Sequence, residues 1–358
     1  MNKKELIAII KERYPYYKNL QKMKIAELKE IYEKNCTNFI LKNERNSCYM
    51  DALFVALFHE KNKYIYNLFF NSDLKSFKNH KLKTIAQNIK DELYNIYTSL
   101  FDASSSSSKK LTCSNLRKLF NDFFKLNNPD RLIDWKSEQL EPLDVINILG
   151  DIITFKKNIK INIKNYGINK KIKKPVLSKL KNINDITTYH DNFSSIIPID
   201  TILSNDIIYL KDLYPKTLTD VIFDEENLWK PYSGNSKEKY LRKIEKITYL
   251  SSKLFFITIN RLFKMGSGSQ DAEKIQSKII PMLKLKLKEN ENNLYLKSII
   301  VHHGNNYGGH YTTLFICNGK WYEYDDLRSS IQLIGSFEDL CEYNDSYYLK
   351  NCTNILYY

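Results

Sequence analysis

Alternating apolar and polar positions near residue 310 predict a β-hairpin. The stretch 302–326, HHGNNYGGHYTTLFICNGKWYEYDD, contains two strand-like segments joined at Asn318-Gly319. This dipeptide is the strongest short sequence signal for a two-residue type I′ turn. With Asn318 and Gly319 in the turn, Cys317 pairs with Lys320, and this pairing sets the register of the whole hairpin.

This register brings a histidine and a carboxylate to one face of the hairpin. His310 and Asp325 become diagonal neighbours, roughly 7 Å apart by backbone position, whereas Asp326 points to the other face unless a bulge shifts the count. The pattern predicts a base with an orienting carboxylate; a half-buried strand face without a catalytic role is the alternative. Gly308-Gly309 favour the catalytic interpretation, because adjacent glycines let a substrate main chain approach closely.

A helical period follows a polar loop in residues 43–60, NERNSCYMDALFVALFHE. Ser47 precedes the periodic apolar positions, so a helix is expected to begin at about Cys48. A thiol in the first turn lies at the positive end of the helix dipole, which favours the thiolate and makes Cys48 a candidate nucleophile. A buried structural cysteine is the alternative. Asn43 and Asn46 precede it, where a side-chain amide can stabilise an oxyanion or serve as an ordinary turn residue.

Residues 3–35 carry the helical period in two short segments, KKELIAIIKERYP and KMKIAELKEIYEKN. The arrangement resembles a SAP-type helix-turn-helix module, a class that often contacts DNA or partner proteins. A plain helical extension packed on the main domain is the alternative.

The net charge of +14 raises the question of nucleic-acid binding. Of the 55 basic residues, 48 are lysine and 7 are arginine, and the lysines are scattered along the chain. Together with abundant Asn and Ile, this indicates a general compositional bias that would suit a large DNA virus or an AT-rich protist. We expect only weak nucleic-acid contact, through the basic N-terminal helices.

Cysteine spacing and apolar runs exclude several protein classes. The six cysteines include no CxxC pair, which argues against a zinc ribbon and a dense disulfide framework and fits a reducing compartment. No apolar run approaches the roughly 18 residues of a membrane span. The apolar run before Lys11 is too short for a secretory signal. We therefore expect a protein without a cofactor, metal or membrane partner, in the cytoplasm, the nucleus or both (of the host cell, for a viral protein).

Four sequence blocks resemble the ubiquitin-specific proteases in content and order. Residues 43–57 resemble the Cys box, N-x-G-N-T-C-Y-M-N-S with an apolar helix, and residues 307–326 resemble the His box, Y-G-G-H-Y with W-Y-x-F-D/N-D at hairpin distance. Gln139–Ile146 is similar to a degraded Q-Q-D-A-x-E-F-L helix. Leu254–Phe263 is similar to the strand L-x-x-x-L-K-R-F. The blocks span roughly residues 41 to 330.

The resemblance implies a role for each matched residue of the two boxes. Cys48 would be the nucleophile and His310 its general base. Asp325 would orient the imidazole, with Asp326 as an auxiliary carboxylate. Asn43 would donate to the oxyanion.

Substrate-binding residues follow from the same match. Gly308 and Gly309 would wall a narrow channel that favours a tail ending in two glycines, and Tyr311 matches the aromatic residue after the catalytic histidine. His302 and His303 fall where the family commonly has one histidine, and we interpret them as structural or as lining the groove.

The chain departs from the family pattern in several places. Arg45 replaces a glycine of the Cys box, so a different loop backbone is expected there, and Asp51 replaces an asparagine. The family's fingers often hold zinc through two CxxC pairs, so we expect a metal-free or shortened region between about Asn165 and Lys246. Gly266–Ser269 has the composition of a flexible linker, natural or engineered.

The expected fold is α+β and papain-like. Residues 1–36 would form the helical extension and 37–358 the catalytic domain, with a helical thumb at about 40–160, fingers at 165–246 and an antiparallel palm at 247–358. By resemblance, the function is thiol-dependent hydrolysis of the isopeptide or peptide bond after the C-terminal glycine of ubiquitin. Three alternatives stay open: a protease for another diglycine-ended modifier, a catalytically weak ubiquitin-binding scaffold, and a DNA-associated protein acting through residues 3–35.

Overall fold

The described part of the chain carries both halves of the predicted site. The computed structural model describes residues 2–13, 19–33, 41–101, 111–134, 138, 140–155, 159–168, 182–190, 194–197, 206–211, 239–249, 254–259, 261–264, 272–285, 293–305, 308–328 and 330–358. The linker-like stretch 266–269, Tyr307 of the His box and Gln139 lie outside the described residues.

Helices dominate the described residues before 155. Their bounds are α1 Lys3–Arg13, α2 Ile25–Glu33, α3 Cys48–Phe58, α4 Lys63–Phe70, α5 His80–Ser99, α6 Ser114–Asn127 and α7 Pro142–Ile152, with two short helices later, α8 Phe337–Glu342 and α9 Tyr347–Asn351. Short 3-10 turns lie at Leu20–Lys22, Pro129–Arg131 and Tyr343–Ser346.

The N-terminal helices α1 and α2 share a small apolar core of their own. Leu6, Ile10, Leu20 and Leu28 are its buried members. The predicted pair of helices is therefore present, with Ile25 at the start of α2 44% exposed. The resemblance to a SAP-type module stays a prediction.

Strands dominate the described residues from 159 onward. They are β1 Ile159–Ile168, β2 Asn182–His190, β3 Ser194–Ile197, β4 Ile207–Tyr209, β5 Lys239–Tyr249, β6 Phe255–Ile259, β7 Leu262–Lys264, β8 Ala272–Lys274, β9 Lys278–Ile280, β10 Lys284–Leu285, β11 Leu294–Asn305, β12 Gly308–Cys317, β13 Lys320–Tyr324, β14 Gln332–Gly335 and β15 Cys352–Tyr357.

The largest sheet has the order β14-β13-β12-β11-β15-β6-β3, and β10 also pairs with β11. Its pairs are antiparallel except β3 with β6, which is parallel. The strands β1, β2 and β5 form a separate antiparallel sheet that extends from residue 159 to residue 249, slightly beyond both ends of the stretch 165–246 predicted as fingers. The stretch predicted as fingers thus also contributes β3 to the edge of the main sheet.

The helix that begins at Cys48 lies in the centre of the larger apolar core. All eleven residues of α3 are buried, as expected for a helix in which every residue except Asp51 is apolar. Two sheet hydroxyls contact its main chain: Thr313 Oγ1 donates to the Ala52 carbonyl at 2.7 Å, and Ser298 Oγ donates to the Ala56 carbonyl at 2.9 Å. These contacts fix the middle and the second half of α3 against β12 and β11.

The predicted hairpin forms with the predicted register. Cys317 pairs with Lys320 between β12 and β13, and the pairing continues to Thr313 opposite Tyr324. Asn318 and Gly319 have φ values of 53° and 79°, the left-handed conformation that a type I′ turn requires at both central positions. The turn therefore fixes the position of His310 along β12.

Candidate active site

Cys48 is the first residue of α3, as predicted, and its side chain is hydrogen-bonded with that of His310. Ser47, immediately before it, does not cap the helix. Its Oγ instead accepts the Glu44 N–H at 2.8 Å and donates to Asp51 Oδ2 at 2.5 Å. The loop before the nucleophile is therefore tied to the first turn of the helix.

Both carboxylates of the His box approach the histidine. His310 Nε2 lies 2.7 Å from Asp325 Oδ1 and 3.4 Å from Asp326 Oδ1. The prediction that Asp325 orients the imidazole agrees with this geometry. The prediction that Asp326 points to the other face was wrong, because β13 ends at Tyr324 and the chain turns at Asp326, so strand alternation no longer applies.

The surroundings of His310 favour its protonated form. Burial by itself would lower its pKa, but hydrogen bonds with Asp325 and Cys48 and the negative charge of Asp326 outweigh burial and raise the pKa to about 10. The pKa of Asp325 is lowered: burial opposes ionisation, and the hydrogen bonds from His310 and from the Leu327 N–H overcome it. The arrangement is that of an imidazolium between a thiol and a carboxylate.

A network that the sequence did not predict holds Asp325 in place. Leu327 N–H donates to Asp325 Oδ1 at 3.0 Å, and Arg328 Nε lies 3.2 Å from Asp325 Oδ2. Arg328 also pairs with the buried Glu323 at 2.9 Å, and Tyr348 donates to Glu323 at 2.5 Å. No sequence motif signals this network, since Tyr348 comes from a separate helix.

The loop that carries the oxyanion candidate Asn43 has an unusual backbone. Arg45 and Asn46 have φ values of 52° and 59°, so the arginine that replaces the family glycine adopts a glycine-like conformation. The buried Arg117 stabilises this loop by donating to the carbonyls of Glu44 and Arg45, the latter at 2.6 Å. Arg45 therefore holds a backbone conformation that glycine adopts more readily, and the expectation of a loop backbone different from that of the family stays a prediction.

We predict that Arg45→Gly leaves stability unchanged or raises it by about 0.5 kcal/mol. Relief of a left-handed L-residue contributes about 1 kcal/mol, and the extra chain entropy of glycine offsets about half of it or more. Arg45→Val should instead lose about 1 to 2 kcal/mol, because a branched side chain is disfavoured at positive φ. Urea unfolding of the three proteins measures the difference; equal stability of the glycine and valine variants would contradict the prediction.

The diglycine before His310 has two different environments. A Cβ added at Gly309 would lie 2.2 Å from the His303 carbonyl oxygen, within the β11–β12 pair, whereas one added at Gly308 would meet nothing within 4 Å. The close packing of the chain on itself therefore requires glycine at position 309. A role of either glycine in a narrow substrate channel stays a prediction.

Tyr311 and the two histidines of β11 lie close to one another and to His310. Tyr311 is buried, and its ring lies 4.6 Å from that of His302. His303 Nε2 lies 2.7 Å from Thr312 Oγ1. Burial lowers the pKa of both His302 and His303 to about 4, so both are neutral at physiological pH. Their contacts agree with a structural role, and substrate contact by Tyr311 stays a prediction.

His310, Asp325 and Asp326 have nitrogen and oxygen atoms within 4.8 Å of one another, a spacing that a metal ion also accepts. We assign the cluster to proton transfer, because the histidine already bonds both Asp325 and the thiol of Cys48. A nucleophile, a base and an orienting carboxylate are the groups that acyl transfer by a thiol needs.

A sequence model described as ubiquitin carboxyl-terminal hydrolase matches residues 40–349. The chain belongs to the ubiquitin carboxyl-terminal hydrolase family. The solved structures include a similar one, described as a SAGA DUB module of Ubp8, Sgf11, Sus1 and Sgf73 bound to monoubiquitin. It shares 15% identity with this chain at a TM-score of 0.55, over 91% of this chain and 70% of the other. A comparison with curated proteins finds no match.

Membership of the ubiquitin carboxyl-terminal hydrolase family confirms three predictions: the resemblance, the papain-like α+β fold and the class of cysteine deubiquitinase.

Among the described residues, no helix is long and apolar enough to cross a membrane. Four described cysteines are free thiols, Cys48, Cys113, Cys341 and Cys352. Cys317 is disulfide-bonded, which departs from the reduced state expected from the cysteine spacing.

Proposed function

We propose that the protein hydrolyses the isopeptide or peptide bond after the C-terminal glycine of ubiquitin. The observation that carries this proposal is the hydrogen-bonded series Cys48, His310 and Asp325 at the junction of α3 and the sheet. The family match supports the reaction class, and the similar solved structure bound to monoubiquitin supports ubiquitin as the partner.

The reaction begins with the proton on the base. Because His310 is protonated and hydrogen-bonded with Cys48, the pair reacts as thiolate and imidazolium. The Cys48 sulfur attacks the carbonyl carbon of the terminal glycine, and the oxyanion accepts hydrogen bonds from the Asn43 amide and from backbone N–H groups at the start of α3. His310 then gives its proton to the leaving amine, usually a lysine side chain, and the C–N bond breaks.

The second half of the reaction releases ubiquitin. Neutral His310 takes a proton from water, the resulting hydroxide attacks the thioester, and the carbon–sulfur bond breaks. The products are the terminal carboxylic acid of ubiquitin, which releases its proton to the solvent and becomes a carboxylate, and the Cys48 thiolate beside a protonated His310. Asp325 keeps its hydrogen bond to the ring throughout, which holds the imidazole in one orientation.

A ubiquitin that carries a C-terminal electrophile tests the proposal. We expect the wild-type protein to gain the mass of one ubiquitin, and the Cys48→Ala variant to gain none. Cys341→Ala is the matched control, since Cys341 is a free thiol outside the described site and should react as the wild type does. Absence of an adduct from folded wild-type protein would overturn ubiquitin as the substrate; an adduct with another diglycine-ended modifier would then identify the alternative protease.

The scaffold alternative is less well supported, because Cys48, His310, Asp325 and Asn43 are all present. We also propose that the protein works in the cytoplasm, the nucleus or both, where Cys48 stays a reactive thiol; the disulfide-bonded Cys317 is buried. Imaging of the tagged protein in the secretory pathway would contradict this location. Weak nucleic-acid contact through α1 and α2 is a further proposal. Unchanged affinity in a variant lacking residues 1–37 would count against that contact.

A further inference from the structure

A second carboxylate lies behind the catalytic residues, in the first turn of α3. Asp51 is fully buried, and its Oδ2 accepts the hydrogen bond from Ser47. Its Oδ1 is also buried and accepts no hydrogen bond of normal distance and angle from the described residues. A buried carboxylate oxygen without a donor costs free energy, so the protonation state of this side chain needs an explanation.

The carboxylate of Asp326 faces Asp51 from the end of β13. The two carboxyl groups lie close enough to affect each other's ionisation, and two ionised carboxylates can accept hydrogen bonds but cannot donate one to each other. The Asp326 side chain is fully buried, and neither of its carboxylate oxygens accepts a hydrogen bond of normal distance and angle from the described part of the chain. One proton between the two side chains converts the contact into a short O–H···O⁻ hydrogen bond.

The surrounding charges decide which residue carries that proton. His310 lies beside Asp326 and favours its anionic form, opposing the burial that raises its pKa. Asp51 is farther inside, and burial raises its pKa well above the usual range. The Ser47 hydroxyl and the Cys113 thiol donate to Asp51, but they carry no positive charge to offset its ionisation. The proton therefore belongs on Asp51.

We propose that Asp51 and Asp326 share one proton, held on Asp51, and that this acid pair positions the catalytic residues. Asp326 interacts with the Asn43 amide and lies 3.4 Å from His310 Nε2, so fixing its carboxylate restrains both the oxyanion donor and the base. The pair also joins α3, which carries the thiol, to the end of β13, the strand that pairs with β12, which carries the imidazole. Its catalytic consequence rests on the proposed function; the shared proton does not.

Infrared spectroscopy of the protein alone tests the shared proton. The difference spectrum between the wild type and Asp51→Asn at neutral pH should contain the C=O stretch of a protonated carboxylic acid, lost in the variant. Loss of carboxylate bands only would overturn the proposal. This measurement is independent of hydrolysis, so a wild type that fails to react with ubiquitin would refute the proposed function and leave this result standing.

The positioning role is tested with two substitutions of similar size. Asparagine still donates a hydrogen bond to Asp326, whereas leucine cannot. We expect Asp51→Asn to keep kcat/KM for a ubiquitin C-terminal amide within about 3-fold, and Asp51→Leu to lose about 10²-fold, mainly in kcat, as misplaced catalytic groups do. Equal loss in both variants, or none in the leucine variant, would overturn the role. If Asp51→Leu does not fold, the Asp51→Asn variant tests the role alone. Retained activity together with loss of the C=O band supports the positioning role, and a large loss of activity overturns it.

Discussion

His310→Gln is expected to lower kcat/KM for hydrolysis of a ubiquitin C-terminal amide by about 10³-fold or more. Glutamine keeps a polar side chain near Asp325 but neither takes the thiol proton nor gives one to the leaving amine, and general acid–base catalysis contributes about 10² to 10⁴. Loss of the Cys48 thiolate adds to this effect. Steady-state hydrolysis of a fluorogenic ubiquitin amide measures it.

His303→Gln provides the matched control, since its ring lies 6.2 Å from that of His310 and is neutral. We expect a much smaller loss of kcat/KM in His303→Gln than in His310→Gln.

The pH dependence of stability gives a second check of the assignment of His310. Because the pKa of His310 is raised to about 10 from 6.5, its ion pair stabilises the fold fully below about pH 6.5, and this contribution is lost as the pH rises through 10. The difference in Tm between wild type and His310→Gln should therefore shrink at alkaline pH; a difference that grows would contradict the assignment.

Arg261→Met is expected to destabilise the catalytic domain by about 3 kcal/mol or more. The Arg261 side chain is only 2% exposed and donates to four main-chain carbonyls, those of Ile275, Ser277, Leu349 and Cys352, at 2.6 to 3.0 Å. Methionine fills a similar volume and leaves these buried acceptors without a donor, at about 1 to 3 kcal/mol for each that water does not reach. Thermal or urea unfolding measures the loss.

Arg261→Lys separates charge from geometry. Lysine keeps the cation but cannot reproduce the planar fork of donors, so we expect a loss between those of the wild type and the methionine variant. Arg131→Met is the control for an exposed arginine: its ion pair with Asp151 is 42% and 39% exposed, and such pairs contribute about 0 to 1 kcal/mol. A methionine variant at position 261 as stable as the wild type would show that the four carbonyls find other donors.

Local sequence signals predicted the parts of the site that depend on short-range geometry. The Asn318-Gly319 turn fixed the hairpin register, and that register placed His310 within reach of Asp325. The apolar period after Ser47 predicted the start of α3 at Cys48. These features follow from turn conformation and from the periodicity of strands and helices, which a single sequence carries.

The parts that depend on long-range contacts were not predicted. Asp326 was assigned to the wrong face, because the end of a strand is set by tertiary packing rather than by alternation. Arg117 and Arg328 appear in the sequence as ordinary basic residues. Their roles at the oxyanion loop and at Asp325 become visible only when distant segments are brought together.

The main sheet has a strand order that matters for synthesis on the ribosome. The last strand in chain order, β15, lies between β11 and β6 in the interior of the sheet. Until β15 emerges, β11 and β6 lack the strand that lies between them. The edge of β11 that faces away from β12, the strand that carries His310, then has no neighbouring strand over most of its length. We therefore expect the nascent chain to stay inactive until synthesis has passed Tyr357. A growing deubiquitinase would then be unable to remove ubiquitin that quality control attaches to it.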